Sequence, residues 1–281
     1  MSAVRAAVSV RDALDGAVTA IAAAGSQTPR LDAELLLADA IGTTREWLFR
    51  EPGAPVAGNA VRAFQAHVRR RAGAREPVAY IVGRRAFRRL ALSVDGRVLV
   101  PRPETELVVE LAVSELARGA TVLDCCCGSG AVALALADER PDLRVWGTDV
   151  DAGALAVARA NAERLGLTVT WQLADLLDGL EEPFDAIVAN PPYVESAAIA
   201  TLEPEVARHE PRLALDGGPD GLAVISRLVE QASQTPARLL ILEHGEGQDA
   251  TLADLCRDAG YAAVEHHRDL AGITRVVVAR R

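Results

Sequence analysis

The chain contains no lysine at all: its 30 basic side chains are all arginine. Aromatic residues make up only 4% and Met1 is the sole methionine, so packing must rest on Leu, Val, Ile and Ala. No apolar run reaches the ~18 residues needed to span a bilayer. The small apolar stretch from Ala17 to Gly25 has the look of a signal-peptide core, but Asp12 and Asp15 stand where such a peptide needs positive charge. A cytoplasmic protein without a membrane segment is expected. Cysteine is limited to Cys125, Cys126, Cys127 and Cys256. Three consecutive cysteines on an extended strand alternate sides and offer no zinc-type spacing, so no metal site is expected and reduced, buried thiols are.

Positive charge is also short: 30 − 39 gives a net −9, with a pI near 5.2. No global attraction for a phosphate backbone follows, and tight nucleic-acid binding would need a local patch. Arg69, Arg70, Arg71 and Arg75, with Arg84, Arg85, Arg88 and Arg89 behind them, are the candidates. They read either as solvated faces or as a surface for a partner.

What the chain does contain is ordered. Leu14, Val18, Ile21 and Ala22, then Ala33, Leu36, Leu37, Ala40 and Ile41, fall on helical faces. "EPGAPVAGN" (51–59) reads as a loop, with a third helix following to about Ala72. Residues 1–84 are therefore expected to form a helical domain. Leu90, Leu92 and Val94 alternate before Asp95-Gly96, and Val98 and Val100 after it, which predicts a β-hairpin linker over 85–102 turning at Asp-Gly. From 103 to 281 strands and helices alternate, predicting an open, mostly parallel sheet. Strands are expected near 121–126, 143–149, 168–174, 184–190, 238–243, 262–267 and 273–279, the last two forming an antiparallel edge.

Ligands of such sheets sit beyond the carboxyl ends of the strands. The first strand ends in "DCCCGSGA", with Asp124, Gly128 and Gly130 opening a helix; by itself this also satisfies the dinucleotide pattern G-x-G-x-x-A. The next ends are Asp149, Asp175 and Asn190. In "NPPY", Asn190 offers a side-chain carbonyl beside the peptide carbonyl of Pro191, while Pro192 and Pro191 stiffen the backbone. Two fixed acceptors suit an incoming NH2 group, and Tyr193 offers an aromatic face to cover it. A dinucleotide enzyme leaves "NPPY" unexplained.

This arrangement resembles S-adenosylmethionine methyltransferases that modify planar amino groups. With "TPRLDAELLL", "EPVAYIVGRRAF", "VLVPRPETELVVE", "EPRLALDGGPDGL" and "LILEHGEGQ" in order, the chain is similar from about Thr28 to Arg281 to the release-factor glutamine methyltransferases, the PrmC/HemK family. The resemblance implies an S-adenosylmethionine-dependent, Rossmann-like α/β methyltransferase sheet behind a helical domain that engages the substrate protein. It implies methyl transfer to the amide nitrogen of the glutamine in a release factor's Gly-Gly-Gln loop, with S-adenosylhomocysteine as product. It also implies sites: Asp124, Cys126, Gly128 and Gly130 along the cofactor, Asp149 at its ribose, Asp175 by the adenine, and Asn190 with Pro191, Pro192 and Tyr193 at the glutamine. Arg102, Glu104 and Thr105 are expected either to line the substrate cleft or to cap a helix. Glu243 and His244, ending the fifth strand, are expected to be structural. Cys126 departs from the family, which has glycine there, and the loop's course is the open point. A monomer acting on release factors is expected; a DNA or RNA base, another protein glutamine, or a non-catalytic scaffold are the alternatives.

Overall fold

The computed structural model describes residues 8–281. Its contacts divide the chain into two units: one runs to Gly83 and includes Glu203–His209, the other comprises Arg84–Leu202 and Glu210–Arg281.

The first unit contains α1 (Val10–Ala23), α2 (Pro29–Ile41), α3 (Arg45–Arg50), α4 (Gly58–Ala74) and α5 (Val78–Val82). Ser9 caps α1 by accepting the Asp12 N–H, and α2 starts on Pro29 and stops at left-handed Gly42. Leu14, Ile21, Leu36, Leu37 and Phe64 meet in one core, as the helical spacing predicts. Six-residue α3, capped by Thr44, is too short to show a period in sequence. The basic run of α4 is neutralised from within. Arg71, 5% exposed, donates to Asp32 at 2.7 Å and to Ser26, and pairs with Glu205. Arg75 binds Glu203, Glu205 and the carbonyl of Ala24, and Arg70 binds Glu76.

In the second unit β1 (Arg84–Phe87) and β2 (Leu90–Ser93) pair antiparallel, Phe87 opposite Leu90. The hairpin therefore turns at Arg88-Arg89, and the expected turn at Asp95-Gly96 is corrected. Tertiary partners explain the difference. Arg88 is held at φ 51° while its N–H donates to Glu106 and its guanidinium to Glu139. Asp95 makes only a local turn, accepting from the Val98 and Arg97 N–H groups. Val94, Val98 and Val100 are buried, so their alternation records burial without strand pairing.

The remaining elements are α6 (Glu106–Glu115), β3 (Thr121–Cys125), α7 (Ala131–Glu139), β4 (Arg144–Asp149), α8 (Ala152–Leu165), β5 (Thr170–Leu173), β6 (Ala186–Ala189), α9 (Pro204–His209, part of the helical unit), α10 (Ala223–Ser233), β7 (Leu239–Glu243), α11 (Asp249–Asp258), β8 (Ala263–Arg268) and β9 (Thr274–Arg280). The sheet order is β5-β4-β3-β6-β7-β9-β8; β5 through β7 are parallel, and β9 runs antiparallel to both its neighbours. The antiparallel strand β9 lies inside and β8 takes the edge. Composition decides this: Val276 to Ala279 are fully buried, whereas β8 carries Glu265, His266 and His267. Helices cover both faces, leaving one core cluster on each. Chain order reverses between β3 and β6, so a crevice opens at their carboxyl ends. Among the described residues no helix is long and apolar enough to cross a membrane.

Candidate active site

A cleft with a cavity volume of about 100 Å³, partly open to solvent, lies at that crevice. Its wall includes Asp124, Cys126, Gly128, Asp149, Asn190 and Pro192, together with Arg102 and Thr105. All eight were singled out from the sequence.

Asp124, one residue before the end of β3, has 1% of its surface exposed, and its carboxyl accepts the Ala133 N–H at 2.9 Å in the first turn of α7. Burial, with Asp149 adding repulsion, pushes its pKa up to about 8 despite that hydrogen bond. The strand then breaks: Cys126 has φ 61° and Gly128 φ 53°. The three cysteines therefore do not alternate along one strand, as an extended reading supposes. Cys126 keeps the left-handed backbone that glycine would adopt without strain, and the residue lines the cleft while also packing against one core cluster. Its thiol is pushed well up in pKa by Cys125 beside it and by burial.

Asp149 holds the loop from β4. One oxygen accepts the Gly128 N–H and the other the Asp151 N–H, each at 2.9 Å. Burial raises its pKa. Each carboxylate oxygen retains a lone pair, a disposition suited to hydroxyl donors. Gly130 serves differently: it is absent from the cleft wall, and a Cβ there would meet the Trp171 ring at 2.8 Å and Ala158 at 3.2 Å. Close packing requires that glycine. Asp175 also lies outside the wall; it is exposed and pairs with Arg227 at 2.8 Å.

On the other side β6 delivers Asn190, whose Nδ2 donates to Thr105 Oγ1 at 3.0 Å. That bond commits the NH2 end and leaves Oδ1 as the amide's acceptor. Thr105 stands at the N-cap of α6 but makes no side-chain cap there, so its hydroxyl serves the cleft. Arg102 bonds Glu210 at 2.6 Å, a carboxylate with 1% side-chain exposure, next to Pro211, Leu213 and Ala214 in the cleft wall. Glu104 is exposed and outside the wall.

Tyr193 is not in the wall either; its hydroxyl donates to Glu243 at 3.1 Å and its ring packs on the core of that face. Its carbonyl accepts from Gln248 at 3.0 Å. A Cβ on Gly217 would lie 2.8 Å from Tyr193 Cα, and one on Gly221 would press on the Tyr193 carbonyl oxygen. "GGPDG" is thus the seat of the "NPPY" turn. Sequence reasoning missed Gly217, Gly221, Gln248 and Glu210; the only signal was their place in motifs shared with a family.

A doubly wound sheet with an inserted antiparallel strand, carrying an acidic cleft and an amide acceptor at its switch point, is the architecture of a Rossmann-like methyltransferase. Comparison agrees. A methyltransferase of known structure from Pyrococcus furiosus superposes with TM-score 0.53 at 19% identity, covering 67% of this chain and 87% of its own. The hMettl16 catalytic domain gives 0.54 at 16%, covering 81% and 84%. Identities this low speak for the fold alone. Family models described as "PrmC N-terminal domain" and "Methyltransferase small domain" match residues 12–83 and 104–218. The release factor glutamine methyltransferase of Moorella thermoacetica is 43% identical, with 98% of this chain and 99% of that protein covered. That of Mycolicibacterium smegmatis is 41% identical, covering 97% and 98%. The chain belongs to the release factor glutamine methyltransferase family.

Proposed function

We propose that this protein transfers one methyl group from S-adenosylmethionine to the side-chain amide nitrogen of the glutamine in the Gly-Gly-Gln loop of a peptide chain release factor, leaving S-adenosylhomocysteine, with one amide proton lost to solvent after the transfer. The observation that carries the reading is the Asn190–Thr105 bond, which leaves a fixed carbonyl acceptor at the rim of an acidic cleft.

The cleft's residues fit the cofactor. Asp149 supplies a carboxylate for a cationic ligand and has lone pairs for two hydroxyls, while Asp124, held neutral by burial, can ionise against a bound cation. Cys126 and Gly128 turn their backbone aside so that a ligand approaches closely. We assign the cofactor to Asp124, Cys126, Gly128, Asp149 and Asn190, with Gly130 acting from behind through Trp171. Asp175 is left out of the assignment, because its carboxylate is engaged by Arg227 away from the wall. When bound, S-adenosylmethionine supplies an electrophilic methyl on a sulfonium centre.

An amide nitrogen is a weak nucleophile because its lone pair is delocalised. Asn190 Oδ1, with the Pro191 carbonyl beside it in sequence, accepts the amide N–H groups. That favours charge developing on nitrogen and fixes the approach line. Pro192 stiffens the turn. Tyr193 acts as its anchor through Glu243 and Gln248. A monomer is proposed as the acting form. Residues to about 84 are assigned to recognition of the release factor's body, and a translation factor as substrate puts the work in the cytoplasm.

A nucleic-acid base is the second reading, and the arginines speak against it. Arg70, Arg71, Arg75, Arg88 and Arg89 each pair with a carboxylate of this chain. The deciding experiment is peptide mass spectrometry of a purified release factor after incubation with this protein and S-adenosylmethionine, against a factor with Gln→Ala in the loop. One added methyl on the glutamine, absent from the control, is expected. Methylation of bare RNA or DNA with none on the factor would replace this reading by the second.

A further inference from the structure

Glu243 ends β7 with 1% of its surface exposed, and nothing in the proposed transfer uses it directly. One oxygen accepts from the Tyr193 hydroxyl at 3.1 Å. The other, Oε2, is buried and has no hydrogen-bond partner. Beside it is Thr105, 4% exposed, whose oxygen accepts from Asn190 and whose own hydroxyl proton needs an acceptor. The Thr105 hydroxyl already acts on the Glu243 carboxyl, holding its pKa down. Oε2, buried and unpaired, therefore has the Thr105 hydroxyl as a neighbouring donor, and leaving a buried acceptor unsatisfied is costly.

This pairing bears on Asn190 because an amide's two ends have nearly the same shape, and only hydrogen bonding decides which faces where. If the Thr105 proton points to Glu243, its oxygen must accept, and Asn190 must give it the NH2. If the proton turns the other way, it donates to the Asn190 carbonyl and the NH2 faces the cleft. An incoming amide would then meet donors in place of an acceptor.

We propose that Glu243 is a positioning residue for the transfer: it fixes the Thr105 hydroxyl proton, so that Asn190 presents its carbonyl oxygen to the cleft. The inference rests on the function proposed above. Ionisation of Glu243 is what enforces the polarity, since a protonated carboxyl can donate to Thr105 and reverse it. The charged and titratable groups facing it are Glu104, which raises its pKa, and Tyr193 and Arg275, which oppose the rise; burial dominates and pushes it up to about 7.

The test uses the full chain with release factor and S-adenosylmethionine, following turnover across pH and cofactor affinity by calorimetry. The unmodified protein should lose turnover as pH falls through about 7. Glu243→Gln accepts from at most one of the two hydroxyls, and should lose at least tenfold in kcat and the acid limb with it, with cofactor affinity within twofold. Thr105→Val should lose as much, Thr105→Ser should recover most of that loss, and the double variant Glu243→Gln/Thr105→Val should be no worse than Thr105→Val alone. Turnover in Glu243→Gln within twofold of the unmodified protein overturns the inference. So do additive losses in the double variant, or parallel losses of cofactor affinity and turnover, which mark a folding defect. Absence of glutamine methylation by the unmodified protein would instead overturn the function on which the inference stands.

Discussion

The carboxylate of Asp124 accepts the N–H of Ala133 at 2.9 Å, tying the end of the central strand to the first turn of the helix behind the cleft. The bond is made by a group that burial keeps protonated up to about pH 8, against an unfolded value of 3.8. The folded chain therefore holds a proton here that the unfolded chain releases, and stability falls as pH rises from about 4 to 8. Asp124→Asn, which cannot ionise, should lose this part of the pH dependence. Thermal denaturation without cofactor at pH 5 and pH 8.5 checks it: the variant's gain in Tm over the unmodified protein should be larger at pH 8.5.

Glu210 is buried and its partner Arg102 is about a third exposed at the side chain. Arg102→Met leaves the carboxylate without its charge partner beneath Pro211, Leu213 and Ala214. Destabilisation of about 1–3 kcal/mol is expected, less than for a fully buried pair because solvent screens the guanidinium. Urea denaturation measures the stability, and cofactor affinity should fall as the cleft wall loosens.

In the helical unit Arg71 is the hub, with Asp32 at 2.7 Å and Glu205 on its other side. Arg71→Met strands Asp32 in the core at a cost on the order of 3–5 kcal/mol. Limited proteolysis should then cut within residues 10–82 while leaving the sheet intact. Equal resistance of variant and unmodified protein would refute the assignment.

Cys126 adopts φ 61°, a conformation costing an ordinary L-residue about 1–2 kcal/mol. Cys126→Gly should raise the Tm or leave it unchanged, the relief being partly offset by glycine's greater chain entropy. Cys126→Val, branched at Cβ, should lower it. Differential scanning calorimetry of the pair gives the sign.

Gly221 has φ 73°, and an added Cβ would crowd both the Tyr193 carbonyl and Gln248 Nε2, the latter at 2.6 Å. Gly221→Ala should displace the "NPPY" turn and lower kcat by more than about tenfold, as small misplacements of positioning groups do. Cofactor affinity, set mainly by Asp124, Gly128 and Asp149 on the other side of the cleft, should fall by less than kcat does.

Much of this was legible in the chain. The seven strands fall within two residues of their expected spans, and β3, β6 and β7 did so because strands buried on both faces need apolar runs. The cleft's Asp124, Asp149 and Asn190 were visible because each stands within one residue of the end of a strand that the pattern marks. The helical faces of α1 and α2 were equally open, since a 3.6-residue period is written locally.

What was not legible depends on residues far apart in sequence. The hairpin turned at Arg88 because Glu106 and Glu139 hold it there, and no local rule favours arginine at that φ. The arginine run looked like a surface until Asp32 and Glu205 enclosed Arg71. Asp175 looked equivalent to Asp149, yet one pairs with Arg227 outside the wall and the other ties down the cleft loop. Gly217 and Gly221 carried no signal of their own, because what they make room for is the backbone of Tyr193, more than twenty residues earlier. The sequence by itself determined the order of elements, the period of each and the polar residue at each strand end, all properties of neighbouring residues. Only the tertiary structure decided which of those polar groups share a cleft and which way Asn190 faces, because hydrogen-bond partners for buried groups exist only once distant segments meet.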